Sequence, residues 1–397
     1  MPWMERTVEK LRREFVLEAL APCCSMTALC AQYGISRKTG YKWLTRFRNE
    51  GLYGLEDRPR RPKTSPLQTS AEMALVVVKE RTQRPGWGPK KIRAALLRRY
   101  SGEEVPSQRT IARIIRTAGL RRAHHRKQRV SRPEAVPELV VQAQRPNDLW
   151  TVDFKGWWRT ADGSKCHPLT VRDAVSRFIL AAEVLPSERQ SLVFGVFEHL
   201  FQQFGLPTAI LSDNGRPFAC TRALAGLSSL SAWWVSLGIQ RVRSRLAKPQ
   251  DNGAHERMHL DMRYDLEDHA ADTFEAQAAA AQQWREEFNH VRPHEAIGLR
   301  TPVELYTRSK RRPGRARPHP YSSQFQVRRV ASHGCISFRA RPVFVSRALN
   351  GHSVGLESLE GDQVRVWFHK LALGVFEATR GSNVQPEAPE KRDQVKP

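Results

Sequence analysis

Three acidic residues stand at positions where a carboxylate calls for an explanation. Asp153 lies in the mostly apolar run LWTVDF, Asp213 ends the apolar run AILSD, and Glu256 lies at the start of a predicted helix in KPQDNGAHERMH. A carboxylate on a buried strand is costly unless it is paired or binds a cation. Two aspartates on strands and one glutamate on a nearby helix can converge on one point, and hard oxygen ligands with open positions suit Mg²⁺. Two such ions clamp the attacking and leaving oxygens of an in-line phosphoryl displacement.

Each of these acids also has a structural alternative. Asp213 precedes Asn214-Gly215 and fits a turn. Asp153 has Lys155 and Arg172 as possible ion-pair partners, and Glu256 fits an ordinary exposed helix position. The order of all three along the chain favours a shared site.

Two further aspartates are rival ligands for such a site. Asp173 follows a predicted strand and fits a turn better. Asp251 lies near a predicted helix start, where a negative charge complements the helix dipole.

The elements that must position the acids form an α/β layer, since strands come first and helices follow. The apolar patterns predict strands over residues 149–154, 168–172, 178–184 and 207–213. They predict helices over residues 188–204, 221–236, 252–270 and 273–290.

Two helical units precede this layer. In the first, predicted helices over residues 5–20 and 26–33 lead to a turn at Gly34, and Ser36 caps a helix from Arg37 to Arg48. In the second, a turn over 85–89 leads to predicted helices Lys90–Arg99 and Gln108–Ala118. Both match a helix-turn-helix, although the first also fits a helical hairpin with a solvated basic face. The predicted DNA-binding residues are Arg37, Lys38, Lys42, Arg46, Arg109 and Arg113.

The charge of the chain is unevenly distributed. Its 397 residues carry a formal net charge of +25, which divides into +17 over residues 1–148, −2 over 149–307 and +10 over 308–397. This pattern predicts flanks that bind a polyanion and a middle that uses carboxylates. The apolar runs are too short to cross a membrane, and the six cysteines show no CxxC spacing, so we expect a cytoplasmic, nucleoid-associated protein with reduced thiols.

These signals together predict a multi-domain protein. Alternating segments after residue 320 predict a small C-terminal all-β barrel of SH3-like type. The predicted segments are a first helix-turn-helix domain (1–55), a linker (56–70), a second helix-turn-helix domain (71–120), a basic linker (121–145), the core (146–307), a basic linker (308–320), the barrel (321–380) and a disordered tail (381–397).

The chain resembles insertion-sequence transposases of the D,D,E class, which have an integrase-type core. The motifs that carry the resemblance are PNDLWTVDFKG, ILSDNGRPF, KPQDNGAHERMH and FNHVRPHEAIGLRTPVELY. The resemblance implies an RNase H-like catalytic core in which Asp153, Asp213 and Glu256 are the catalytic metal ligands. It also implies a DNA contact for Arg263, seven residues after Glu256 and therefore on the same helix face. The tract 289–294 is interpreted as a structural helix end.

In two respects the chain departs from retroviral integrases. The interval between Asp213 and Glu256 is longer, which predicts an added turn or loop within 223–236, and helix-turn-helix units replace a zinc domain.

The resemblance implies a DNA transposase that binds the ends of a mobile element and catalyses Mg²⁺-dependent strand cleavage and strand transfer. Two Mg²⁺ ions are expected, with Mn²⁺ tolerated. The expected partners are double-stranded DNA, both terminal inverted repeats and target DNA, and a second copy of the chain in a dimer or higher multimer. Two alternatives remain open: a catalytically inactive, transposase-derived DNA-binding regulator, and a simple RNase H-type nuclease.

Overall fold

A computed structural model describes residues 7–22, 24–58, 68–121, 143–220, 223–243, 253–314, 319–379 and 383–386. The chain divides into two compact units, residues 1–68 and 69–397. Within the described ranges, no helix is long and apolar enough to cross a membrane.

The first unit is a three-helix domain. Its helices are α1 (Val8–Ala19), α2 (Met26–Gln32) and α3 (Arg37–Glu50). The Ser36 hydroxyl accepts a hydrogen bond from the Thr39 amide at 3.2 Å, which confirms the predicted cap. Gly40 allows α3 to approach its neighbours, because a Cβ there would lie 2.6 Å from the Cys30 sulfur.

The second unit begins with another three-helix domain, formed by α4 (Ala71–Gln83), α5 (Pro89–Leu96) and α6 (Gln108–Thr117). Helix α5 ends at Leu96, three residues before the predicted end. Ser107 caps α6, with its hydroxyl 3.2 Å from the Thr110 amide. The fully buried side chains of Val77, Ile92 and Ile111 hold the three helices together.

The core that follows is a mixed sheet. The strands are β1 (Leu149–Phe154), β2 (Trp158–Arg159), β3 (Lys165–Asp173), β4 (Ile179–Leu185), β5 (Ala209–Ser212) and β6 (Gln240–Arg243). Their order is β2-β3-β1-β5-β6, with β4 also paired to β3. Strand β1 is antiparallel to β3 and parallel to β5, so β1 and β5 end at the same edge of the sheet.

Helices cover both faces of this sheet. They are α7 (Gln190–Phe204), α8 (Ser229–Ser236), α9 (Gly253–Met262) and α10 (Phe274–His290). Trp150 and Val152 of β1 pack in a cluster with residues of α7 and α8. Because strand side chains alternate between faces, Thr151 and Asp153 lie on the opposite face, which α9 covers.

Four core elements differ from the prediction. The predicted helix 252–270 stops at Met262 and continues as a π-helical turn, Arg263–Glu267. Arg263 is the first residue of this turn, and its shared face with Glu256 stays a prediction. The predicted helix 221–236 is a 3₁₀ turn at 224–226 followed by α8. Strands β2 and β6 were not predicted.

The C-terminal domain consists of β strands. These are β7 (Gln326–Arg329), β8 (Cys335–Phe338), β9 (Arg341–Phe344), β10 (Ser353–Ser358), β11 (Gln363–Phe368) and β12 (Leu371–Glu377). Strands β12, β11, β10 and β7 form one sheet, while β8 and β9 form a separate hairpin. The all-β prediction is confirmed. A closed SH3-like barrel stays a prediction, and most of the predicted tail lies outside the described residues.

Candidate active site and DNA-binding surfaces

Asp153 and Asp213 lie at neighbouring positions on one edge of the core sheet. Thr151 of β1 pairs with Leu211 of β5 in parallel register. Each aspartate lies two residues further along the chain, Asp153 within β1 and Asp213 directly after the end of β5. Continuing that register sets Asp153 opposite Asp213. The apolar runs before each acid form the buried strands that carry the two carboxylates to this edge.

The surroundings of Asp153 and Asp213 disfavour the ionised form of both carboxylates. Burial, followed by the nearby Asp213 carboxylate, raises the pKa of Asp153 to about 7, and Glu256 contributes in the same direction. Burial also raises the pKa of Asp213, with the Glu188 carboxylate adding to the effect. Without a counter-charge, these acids resist ionising together.

Glu256 lies in the first turn of α9 and is exposed to solvent. Its charge acts on the pKa of Asp153 in the same direction as Asp213, but more weakly. Among the residues that the structure describes, however, no group of three or more Asp, Glu, His or Cys side chains is close enough to hold one metal ion. The aspartate pair alone still fits Mg²⁺, which commonly takes one or two protein carboxylates together with water and substrate phosphates.

Two histidines that were not predicted as site residues fix α9 to the sheet. His255 is fully buried, and its ring nitrogens lie 2.8 Å from the Thr151 hydroxyl and 2.6 Å from the Thr170 hydroxyl. His259 Nε2 lies 2.7 Å from the same Thr170 oxygen, and its Nδ1 is 3.9 Å from an Asp153 carboxylate oxygen. The spacing of the two histidines, four residues apart on either side of Glu256, was the available sequence signal.

Both imidazoles are neutral at physiological pH. Burial lowers the pKa of His255 well below its ordinary value, with His259 and Arg172 acting in the same direction. Burial, followed by the Lys155 charge, lowers the pKa of His259 to about 3.

The rival ligand Asp173 has a structural role. It is fully buried, and its carboxylate accepts hydrogen bonds from the amide and hydroxyl of Ser176 and from the Asn147 amide. The turn interpretation is therefore confirmed. Asp251 lies outside the described residues.

The tract 289–294 braces the core, which confirms its structural interpretation. The Asn289 side chain accepts from the Ile179 amide at 2.8 Å and donates to the Ile179 carbonyl at 2.9 Å. The buried Arg292 guanidinium lies 2.6 Å from Asp261 and 3.6 Å from Asp265. These contacts connect the end of α10 to β4, to α9 and to the π-helical turn.

The predicted DNA-binding residues lie on two helices and one turn. On α3, Arg37, Lys38 and Lys42 are exposed, whereas Arg46 is half-buried with its guanidinium 5.0 Å from the Trp43 ring. Arg263 keeps 59% of its side chain exposed and lies 3.7 Å from Asp268.

The second helical domain has two sets of basic side chains. One set forms ion pairs with the core, and the other is exposed. Three ion pairs dock this domain on the core: Arg84 with Glu287 at 2.6 Å, Lys90 with Glu295 at 3.3 Å and Arg98 with Glu304 at 3.0 Å. Arg109, Arg113 and Arg116 of α6 remain exposed on the surface. The exposed α6 arginines therefore form the basic face open to an external ligand.

Family models match along most of this architecture. A helix-turn-helix domain model matches residues 11–63, and a homeodomain-like domain model matches residues 39–115. Two integrase core domain models match residues 143–249 and 237–302.

Proteins of insertion elements are among the relatives. The chain is 26% identical over 205 residues to an uncharacterised 39.2 kDa protein of insertion element IS476 from Xanthomonas euvesicatoria, covering 51% of this chain and 56% of that protein. It is 26% identical over 200 residues to an uncharacterised 31.7 kDa protein of insertion element IS407 from Burkholderia multivorans, covering 50% and 69%.

Solved structures similar to parts of the chain include retroviral integrase cores. The catalytic core domain of BIV integrase is 26% identical, covering 40% of this chain and 93% of that one, with a TM-score of 0.32. The HTLV-2 integrase catalytic core domain in complex with magnesium is 16% identical, covering 42% and 100%, with a TM-score of 0.31.

The family matches describe a protein in which helix-turn-helix domains precede an integrase core domain. Parts of the chain are also similar to proteins of insertion elements, and the matched segments span 56% and 69% of the lengths of those two relatives.

Proposed function

We propose that the protein is a DNA transposase that binds the ends of a mobile element and catalyses divalent-metal-dependent cleavage and joining of DNA strands. The observation that carries the proposal is the pair Asp153 and Asp213, which lie in β1 and directly after β5, two neighbouring parallel strands. Burial, followed by the nearby Asp213 carboxylate, raises the pKa of Asp153 to about 7, which a bound cation would lower. If Asp153 and Asp213 instead belonged to a structural ion-pair network, Lys or Arg side chains would pair with them.

Asp153 and Asp213 would hold Mg²⁺ or Mn²⁺, with Glu256 as the third ligand. Two such ions would activate the nucleophile and stabilise the leaving oxygen in an in-line displacement at phosphorus. The protein residues position the carboxylates: β1 and β5 hold the aspartates, and the neutral His255 and His259 fix α9 against β1 and β3. The same acids would serve hydrolysis at the element end and attack by the new 3′-hydroxyl on target DNA.

The exposed basic helices supply the contacts to double-stranded DNA. Helix α6 presents Arg109 and Arg113, and α3 presents Arg37, Lys38 and Lys42, so both suit docking against phosphates and base edges. Joining two ends to one target requires at least two copies of the chain, which favours a dimer or higher multimer.

The test uses duplex DNA that carries the terminal inverted repeats bracketing the reading frame. With Mg²⁺ or Mn²⁺ the protein should expose a 3′-hydroxyl at the element end and join it to a second DNA. End-specific binding without any cleavage would support the inactive regulator instead. Cleavage that ignores the end sequence and yields no joined product would support a simple nuclease.

A further inference from the structure

The imidazole of His255 lies at the point where α9 meets the two strands nearest the proposed metal site. It immediately precedes Glu256, yet it is fully buried while Glu256 is exposed. Its two partners come from different strands: Thr151 lies two residues before Asp153 on β1, and Thr170 lies directly opposite Asp153 on β3. One side chain therefore joins the helix that carries the glutamate to both strands around the aspartate.

The donors and acceptors around His255 form a consistent network. The Thr170 hydroxyl donates to the Asp153 carbonyl at 3.0 Å, so its oxygen is left to accept from His255 Nε2 and His259 Nε2. A neutral His255 that donates through Nε2 accepts at Nδ1 from the Thr151 hydroxyl at 2.8 Å, which is much closer than that hydroxyl's other acceptor, the Arg172 carbonyl at 3.5 Å. Each of these buried polar atoms then has a partner, which makes the network costly to disturb.

A second contact supports the same end of α9. The buried Arg172 guanidinium of β3 donates to the Ala254 carbonyl at 2.7 Å. Residues 254 and 255 are thus both bonded to the sheet, and Met258 and Met262 pack on the same side of the helix against Trp158 and its neighbours. The first turn of α9 has its orientation set by these bonds.

We propose that His255 is a positioning residue, which sets the distance and orientation of Glu256 relative to Asp153 by bridging the Thr151 and Thr170 hydroxyls. This inference rests on the proposed function, in which Glu256 and Asp153 share a divalent cation. Removing a residue that orients a metal ligand without touching the metal commonly lowers the metal affinity by about 10–100-fold. His255 acts in this way through Glu256 and touches neither substrate nor metal.

The test compares Thr151→Val with Thr151→Ser in the full-length protein, because valine removes the hydroxyl and serine keeps it. Mn²⁺ binding is titrated by electron paramagnetic resonance, and the melting temperature is measured in parallel. Thr151→Val should weaken Mn²⁺ binding about tenfold, and Thr151→Ser should bind close to the wild type. Thr301→Val, which removes another buried threonine hydroxyl away from α9, should leave the Mn²⁺ affinity unchanged.

A double variant tests whether the two groups act together. Thr151→Val combined with His255→Leu should weaken Mn²⁺ binding no more than His255→Leu alone, since His255→Leu already removes the bond to Thr151. Wild-type Mn²⁺ affinity in Thr151→Val, even with a lowered melting temperature, would overturn the positioning role while leaving the proposed function intact. Mn²⁺ binding that is equally tight in the wild type and in Asp153→Asn with Asp213→Asn would overturn the proposed function and this inference with it.

Discussion

Replacing Asp153 with asparagine should stabilise the metal-free protein at alkaline pH. The folded chain holds the pKa of this carboxyl at about 7, against an ordinary value of 3.8. An acid whose pKa is raised on folding favours the folded state below its unfolded pKa, and that contribution is lost as the pH rises through the folded pKa. At about 1.4 kcal/mol for each tenfold change in proton affinity, the loss at pH 8 is about 4 kcal/mol at most. The side chain keeps 26% of its surface in water, which reduces the effect.

The assay is urea unfolding in EDTA from pH 4 to pH 8, followed by the fluorescence of buried tryptophans such as Trp150 and Trp234. Wild type and Asp153→Asn should unfold alike near pH 4 and diverge as the pH rises to 7, with the variant more stable at pH 8. Mg²⁺ should then stabilise the wild type at pH 8 and the variant much less. The exposed acid Asp272, changed to asparagine, is the matched control and should show no such divergence.

A wild type as stable as Asp153→Asn at pH 8 in EDTA would refute this reasoning, because it would mean that burial and the nearby Asp213 carboxylate do not raise the pKa of Asp153. A variant that is less stable at every pH would show instead that the carboxylate makes a structural bond that asparagine cannot replace.

Two further predictions concern the ion pair of Arg292 in the tract 289–294 and the exposed arginines of α6. Arg292→Ala should cost about 3–5 kcal/mol of unfolding free energy in urea, because it leaves Asp261 without its buried partner; Arg263→Ala, at an exposed pair, should cost about 1 kcal/mol or less. Arg109→Ala and Arg113→Ala should each reduce the salt dependence of DNA binding by about one counterion in a fluorescence titration, without lowering the melting temperature; an unchanged salt slope would remove α6 from the DNA interface.

The parts of the core that sequence could predict are those with local signals. The apolar runs LWTVDF and AILSD identify β1 and β5, because near-continuous apolar runs are typical of buried strands. The acid near the end of each run stands out, because a carboxylate is costly to bury inside such a strand. The caps at Ser36 and Ser107 were also predictable from a local signal, since helix capping depends on residues within one turn.

The missed elements depend on distant partners. Strand β6, QRVR, has a single apolar residue, and its parallel pairing with β5 makes it a strand. The π-helical turn Arg263–Glu267 is held by Arg292 and Trp284, which contact Asp265, and by Lys155, which pairs with Glu267. The role of His255 depends likewise on two hydroxyls about a hundred residues away along the chain.

The contacts of the second helical domain with the core show that the basic residues of the N-terminal region do not all face outwards. Part of its positive charge is used within the chain, since Arg84, Lys90 and Arg98 pair with acids of the core. Net charge alone would assign all of these residues to DNA. The distinction between paired and exposed cations becomes visible once the fold is known.

The most direct test of the central claim measures Mg²⁺-dependent cleavage and end binding on the same DNA for Asp153→Asn, Asp213→Asn and Glu256→Gln. The control is Glu275→Gln, an exposed glutamate in the first turn of the neighbouring helix α10. Each of the three site variants should bind the element end as the wild type does and cut it at least a thousandfold more slowly, at a cost of about 4 kcal/mol or more in the barrier, while the control cuts normally. Normal cleavage by any one of the three variants would contradict the assignment of that residue to the site.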